Sequence, residues 1–354
     1  MALLFEPLTI RDVYFRNRIW VPPMCQFACE DQTGNPNSWH LVNAGSYAAG
    51  GAGMVMVEAT AISPIGRITA QCAGIWNDHQ RDLWKPVAAF IESQGSVPAI
   101  QIAHAGRKAS DDMHEKALPL DQGGWETIGP SALAVDGLTV PRVMTTEDIA
   151  VVVQEFADAA RRSVEAGFKV IEIHAAHGYL LHEFLSPLSN IREDQYGGSL
   201  ENRARFLLEV VKVVREQIGS DIPLFVRFSA TDWVDGGWNP EETAIVAKWC
   251  QELGADLFDI SSGGLLRSIF ISSTPGYQVP FSETVKNEGK VLTAAVGKIT
   301  TAVQAEQILQ EEKADAIFIG RQLINDPHFP LRAAHELGIE VDYRPVPHRP
   351  GYWN

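Results

Sequence analysis

Two histidines and a tyrosine fall within one short stretch of this chain, His174-Ala175-Ala176-His177-Gly178-Tyr179. Neutral imidazoles at that spacing can both donate hydrogen bonds to one carbonyl oxygen. They would then stabilise the enolate-like charge that develops when a hydride attacks a conjugated β-carbon. A tyrosine two residues further on can give the α-carbon its proton. Two plainer readings compete. Paired histidines are familiar zinc ligands, but the stretch lacks a His-Glu-x-x-His pattern and brings no third ligand, so no metal site is expected. The other makes them core histidines with satisfied hydrogen bonds, against which the polar character of the stretch argues.

Further candidates lie elsewhere. Gly297 and the pair Gly320-Arg321 sit near the end of the chain, where backbone amides and a guanidinium could hold a phosphate, although glycines also simply turn a chain. Arg227 lies in an apolar run, Leu224 to Phe228, and a buried cation needs an anionic or electron-rich partner. A reduced flavin's N1–C2=O edge would serve; a structural ion pair with Glu172 or Glu58 is the alternative. Gln101 offers a donor and an acceptor to a heterocycle. Cys25, beside Pro22-Pro23, is either a small buried thiol or one that tunes a nearby flavin.

Short apolar runs alternate with long amphipathic segments about eight times, the pattern of a parallel sheet with crossover helices. The strands are expected at Arg18 to Val21, Gly53 to Glu58, Val97 to Ile102, Phe168 to Ile173, Leu224 to Phe228, Leu257 to Ile260, Val291 to Thr293 and Ala316 to Ile319. Helices are expected over Thr146 to Ala166, opened by a Thr-Thr-Glu-Asp cap and ended by Gly167, and over Glu201 to Ile218, ended by Gly219. Eight strands suggest closure into a (β/α)8 TIM barrel, whose active site lies just past the C-terminal strand ends, where every candidate above falls. An open doubly wound sheet would need a Gly-x-Gly-x-x-Gly turn after an early strand, and there is none. Leu8 to Phe15 reads as a hairpin that plugs the N-terminal end. Gly106 to Val143 is too long and too rich in Gly and Pro for an ordinary connection, so it reads as a functional loop above strand three.

Composition narrows the function. With 354 residues, 45% hydrophobic and 21% charged, the chain can bury a large core, and no linker-like stretch divides it, so one domain spanning 1–354 is expected. The 29 basic and 44 acidic residues give a formal charge of −15, which repels phosphate backbones and anionic membranes, so neither nucleic acid nor membrane is an expected partner. The N-terminus has no secretory pattern and no apolar run approaches the ~18 residues of a membrane span, so a cytoplasmic location is expected. Cys25, Cys29, Cys72 and Cys250 are too scattered for a disulfide framework or a C-x-x-C site.

Taken together these motifs resemble the old yellow enzyme family of flavin ene-reductases, in its thermophilic-like branch of xenobiotic reductases and NADPH dehydrogenases. The resemblance runs nearly end to end. It is carried by Leu4-Phe5-Glu6-Pro7, Asn17-Arg18-Ile19, Pro22-Pro23-Met24-Cys25-Gln26, Gln101 through Lys108, His174 through Tyr179, and Ser189-Asn190 with Arg192-x-Asp194-x-Tyr196-Gly197-Gly198-Ser199-x-x-Asn202-Arg203. It implies noncovalent FMN, reduced by NADPH or NADH and reoxidised by an electrophilic alkene, with Pro23, Met24, Cys25, Ala59, Gln101, Arg227, Gly297, Lys298, Gly320 and Arg321 lining the flavin site. It makes His174 and His177 the donors to the substrate oxygen and Tyr179 the proton source.

There are two departures from the family pattern. Members of the branch often carry a tyrosine two residues after the cysteine to bond the substrate oxygen, and this chain has Phe27. In relatives a C-terminal residue reaches a neighbouring subunit's site, so the tail over 340–354, with Arg349 and Trp353 as candidates, implies a homodimer or homotetramer. Three alternatives remain. A dienoyl-CoA reductase type would need cluster cysteines and a further nucleotide domain, which the cysteine spacing and the early C-terminus oppose. A barrel aldolase would use Lys108 as its Schiff-base amine, and a non-catalytic flavin-binding protein would leave the histidines without a task.

Overall fold

The structure, a computed structural model, describes residues 2–271 and 273–351; Trp353 lies outside the described residues. Eight parallel strands close a barrel: β1 (Ile19–Val21), β2 (Met54–Ala61), β3 (Val97–Ala103), β4 (Val170–Ala175), β5 (Leu224–Ser229), β6 (Leu257–Ser261), β7 (Thr293–Ala295) and β8 (Ala316–Phe318). The ring closes where Ile317 and Phe318 of β8 pair with Ile19 and Trp20 of β1.

Alternation along each strand divides the core in two. Ile19, Val21, Val55, Val57, Ile171, Ile173, Val226, Phe228, Phe258 and Ile260 belong to the cluster that also holds the buried helix residues. Their neighbours Trp20, Met54, Met56, Val170, Phe225 and Leu257 point inward and fill the barrel. The expected hairpin forms as Leu8–Ile10 paired with Val13–Phe15. Its Ile10 and Phe15 join the inner cluster, Phe15 lying 4.8 Å from Trp20 between ring centroids, so the N-terminal end is closed by apolar side chains. Two residues above the apolar rung the interior turns polar, with Gln101, Glu172, Arg227 and Asp259 on four consecutive strands.

Helix ends follow local chemistry. The helix Thr146–Glu165 opens on a reciprocal cap between Thr145 and Asp148 and stops one residue earlier than expected, ahead of Gly167 at φ +99°. Leu200–Ile218 is capped by Ser199 and ended by Gly219 at φ +74°.

Three strands depart from expectation by more than a single residue. β2 runs on to Ala61 because a bulge between Val57 and Ala59 lets its polar end keep pairing with β3. β4 continues through His174, which therefore stands in the strand and not beyond it. β7 begins at Thr293, since Lys290 ends the preceding helix in left-handed backbone and Val291 and Leu292 lead into the ladder. The long segment after β3 carries two single turns, Gly106–Lys108 and Leu120–Gln122, and the short paired strands Ile128–Gly129 and Arg142–Val143. No helix among the described residues is long and apolar enough to cross a membrane.

Candidate active site

At the end of β4 the expected trio comes together. The rings of His174 and His177 stand 5.2 Å apart between centroids, and His174 is also 5.2 Å from the ring of Tyr179. The amide of Ala176 donates to His174 Nδ1 at 3.3 Å, which leaves the imidazole proton on Nε2. His177 Nε2 lies 2.8 Å from Ser261 Oγ. Burial above all, then the Arg227 cation, drives both imidazoles well below the usual histidine range, so both are neutral. Burial holds the Tyr179 phenol well above its usual value, so it keeps its proton.

His177 adopts φ +59°, a strained conformation for a side chain of its size, and the turn is held on three sides. Its amide donates to Ser229 Oγ at 2.9 Å, its carbonyl accepts from Lys108 Nζ at 2.8 Å, and the next amide, of Gly178, donates to His182 Nδ1 at 2.9 Å. His182 in turn lies 3.2 Å from Asp232 Oδ1, both fully buried. Lys108 Nζ also donates to Gly264 O at 2.8 Å and stands 4.8 Å over the Tyr179 ring. Gly178 and Gly264 pack backbone to backbone; a Cβ on Gly178 would lie 2.5 Å from Gly264 O. Lys108 thus ties the turn after β4 to the turn after β6. Both bridges use its N–H protons, and burial lowers the amine to about 8.

Below the trio, Gln101 Nε2 donates to Glu172 Oε1 at 2.8 Å and Arg227 Nε meets Asp259 Oδ2 at 2.9 Å. The ion-pair partner of Arg227 is therefore Asp259, not Glu172 or Glu58. The alternative of a structural ion pair named the wrong acids, because Asp259 pairs with Arg227 across the β5–β6 register, whereas Glu58 faces outward to His40 Nε2 at 3.0 Å and accepts from Gln26 N at 2.9 Å. Among the described residues this is the one ion pair of Arg227, its Nε contact is not aligned as a hydrogen bond, and no nitrogen of the guanidinium has a hydrogen-bond partner. Cys25 is half-buried, faces the Ala59 amide, and is raised by burial well above the usual thiol range. Close by, Glu183 is fully buried under the loop after β3, its Oε1 accepting from Arg107 N at 2.9 Å, and burial pushes it up to about 8.

A cleft with about 710 Å3 of empty space, part of it open to solvent, runs from His177 and Ser261 to Gly297, Lys298, Gly320 and Arg321. Gly297 has φ +127°, and a Cβ there would crowd the Gln278 side chain at 3.0 Å. Lys298, itself at φ +53°, donates to Ser273 O at 2.7 Å. Arg321 is exposed and, among the described residues, makes no ion pair. A Cβ on Gly320 would sit 3.4 Å from Met24 Sδ and Pro22 Cγ, so the loop holding Pro23, Met24 and Cys25 adjoins the loop after β8.

Two expected residues stand apart. Phe27 is half-buried at φ +51°, in the same loop as Cys25. Arg349 is exposed in the turn Val346–Gly351. That tail docks at the closed end of the barrel, where the Tyr343 hydroxyl lies 3.0 Å from Asn17 Nδ2 and its ring stacks under Arg16, so Arg349 does not enter the site of its own chain. Sequence reasoning missed Ser261, Gln278 and Asp259. Ser261 was visible as a polar strand end, and Asp259 as a charge inside an apolar run. Gln278, which accepts from Ser262 Oγ at 2.7 Å, belongs to an irregular segment and gave no signal.

A family model described as the NADH:flavin oxidoreductase / NADH oxidase family matches residues 3–340. An NADPH dehydrogenase of Bacillus subtilis (strain 168) is 45% identical over 350 residues, covering 99% of both chains. Among solved structures, the old yellow enzyme homologue from Zymomonas mobilis is 28% identical with a TM-score of 0.78, covering 96% of this chain and 94% of its own. A 2-naphthoyl-CoA reductase complex has a TM-score of 0.87 at 28% identity over 94% of this chain, which spans 52% of that structure.

Proposed function

Because the chain belongs to the NADH:flavin oxidoreductase / NADH oxidase family and so is an NAD(P)H-dependent flavin oxidoreductase, we propose that it reduces the activated carbon–carbon double bonds of α,β-unsaturated carbonyl or nitro compounds. The residues present fit FMN. The unpaired terminal nitrogens of Arg227 offer donors to a heterocycle's polar edge, with Gln101 beside them. Arg321 and Lys298 stand where a phosphate needs countercharge, along a glycine-lined cleft. When bound, FMN accepts a hydride from the nicotinamide and passes it to the substrate's β-carbon.

The chain's own residues do the rest. His174 offers its Nε2 proton to the substrate oxygen. When the Ser261 hydroxyl donates to His177 Nε2, the proton of that ring stands on Nδ1, giving a second neutral donor. Both are held before substrate arrives, so the developing negative charge is met without reorganisation. Tyr179, protonated at neutral pH, supplies the α-carbon's proton. Cys25 borders the flavin and Phe27 packs against substrate without offering it a hydroxyl. Arg349 has a role only in a neighbouring subunit's site, as part of a homodimer or homotetramer.

The observation that carries this reading is the pair of neutral imidazoles fixed 5.2 Å apart, of which His177 lines the cleft. Its test is anaerobic reduction of the holoenzyme by NADPH, followed by 2-cyclohexenone or a nitroalkene. Reoxidation is expected with the parent, and a His177→Ala variant should reoxidise roughly 10²–10³-fold more slowly while retaining flavin. A parent that stays reduced with either acceptor, or a variant as fast as the parent, overturns the reading.

A further inference from the structure

Gln101, Glu172, Arg227 and Asp259 occupy one rung inside the barrel, on β3, β4, β5 and β6 in turn. Beneath them lie Phe225, Leu257, Trp20 and Phe318, all inward and apolar. Two carboxyls thus stand on one rung with a single guanidinium, which is paired with Asp259. Glu172 and Asp259 are both fully buried. Neither Asp259 oxygen makes a well-aligned hydrogen bond, and Glu172 Oε2 has none either, while Glu172 Oε1 is held by Gln101.

Such a cluster lowers stability relative to an apolar rung, so its retention calls for a task. The two carboxyls also differ. Burial, then the charge of Asp259, pushes Glu172 well above the carboxylate range. Asp259 is raised by burial to about 6, with Arg227 opposing. Near pH 8 Asp259 is therefore ionised beside Arg227, while burial and that charge oppose ionisation of Glu172.

We propose that Asp259 is a positioning residue that fixes Arg227 through Nε, turns its other nitrogens upward, and offsets part of the positive charge that Arg227 presents to the flavin. This rests on the reading that puts the flavin's N1–C2=O edge against Arg227. Reduction adds negative charge at that edge, so an uncompensated guanidinium would favour reduced FMN. With Asp259 at 2.9 Å the preference is moderated, and the reduced flavin remains a ready hydride donor. Glu172, which accepts from Gln101 and makes no ion pair with Arg227, offsets less of that charge.

The test compares holoenzyme variants by the ratio of oxidised to reduced FMN dissociation constants, read as the two-electron midpoint potential by dye equilibration at pH 8. Asp259→Asn is expected to shift that ratio at least tenfold toward the reduced form, about 30 mV upward for a two-electron couple. Asp259→Ser serves if the amide variant does not accumulate. Glu172→Gln should stay within threefold of the parent, and Arg227→Met should move at least tenfold the other way. An Arg227→Met shift with no upward shift in either Asp259 variant overturns the role of Asp259 and leaves the flavin placement standing. No shift in Arg227→Met removes the placement itself. A Glu172→Gln shift as large as that of Asp259→Asn would give the charge to the wrong carboxyl and also overturns the inference.

Discussion

Substituting Gly178 by alanine tests how tightly the histidine turn is held. Gly178 has φ +69°, which costs an L-residue roughly 1–2 kcal/mol. Its new Cβ would lie 2.5 Å from Gly264 O and 2.6 Å from Leu265 Cα, backbone that cannot rotate away. Restoring ordinary contact needs a separation of about 0.9 Å between the two turns, enough to stretch the 2.8 Å bridge from Lys108 to Gly264 past hydrogen-bonding range. A lost charge-assisted hydrogen bond adds about 1.5–3 kcal/mol. The variant should therefore lose about 2.5–5 kcal/mol in urea unfolding. With His177 displaced by almost an ångström, oxidation of the NADPH-reduced enzyme by 2-cyclohexenone in stopped flow should slow about 10²-fold. Gly198→Ala is the control: its φ is +82° but nothing lies within 4 Å, so it should show the backbone cost alone. Equal losses in the two variants, or an unchanged oxidation rate in Gly178→Ala, would refute the reasoning.

Arg321→Ala should purify with less FMN and bind it about 10–100-fold more weakly by fluorescence titration, in line with losing one charge-assisted phosphate contact; parent-like affinity would place the phosphate elsewhere. Glu183 rises from 4.5 unfolded to about 8 folded, so the folded state binds the extra proton between those values and the stability it contributes is lost as pH climbs through 8. Glu183→Gln, which does not titrate, should gain on the parent in urea midpoint between pH 5 and pH 9, and a constant difference would contradict the burial argument. Phe27→Tyr should tighten binding of a simple phenol to the oxidised holoenzyme, while equal binding would separate position 27 from the substrate oxygen.

Much of this molecule is legible in its residues. All eight strands fall within three residues of where alternation and β-branched runs put them, because strands buried on both faces leave short apolar stretches with sharp ends. The N-terminal hairpin and both capped helices follow from local chemistry alone. The contents of the strand ends were readable too, since a closed barrel places them all at one mouth. Pairings across strands were not. Which carboxyl meets Arg227 depends on the stagger between β5 and β6, and no local pattern encodes a register. The strained backbone at Phe27, His177 and Lys298 was equally hidden, because none is a glycine and their conformations are imposed by contacts from distant segments. Lys108 showed as a possible nucleophile, and only the meeting of the β4 and β6 turns reveals it as their tether.

The hairpin that stoppers the barrel beneath Trp20 also governs traffic. With Ile10 and Phe15 wedged into the lower opening, the described residues close the approach to Arg227 from below. On the proposed function reductant and acceptor would share the upper mouth, so an excess of either should delay the other's entry and turnover should fall when one reagent is supplied far beyond its partner.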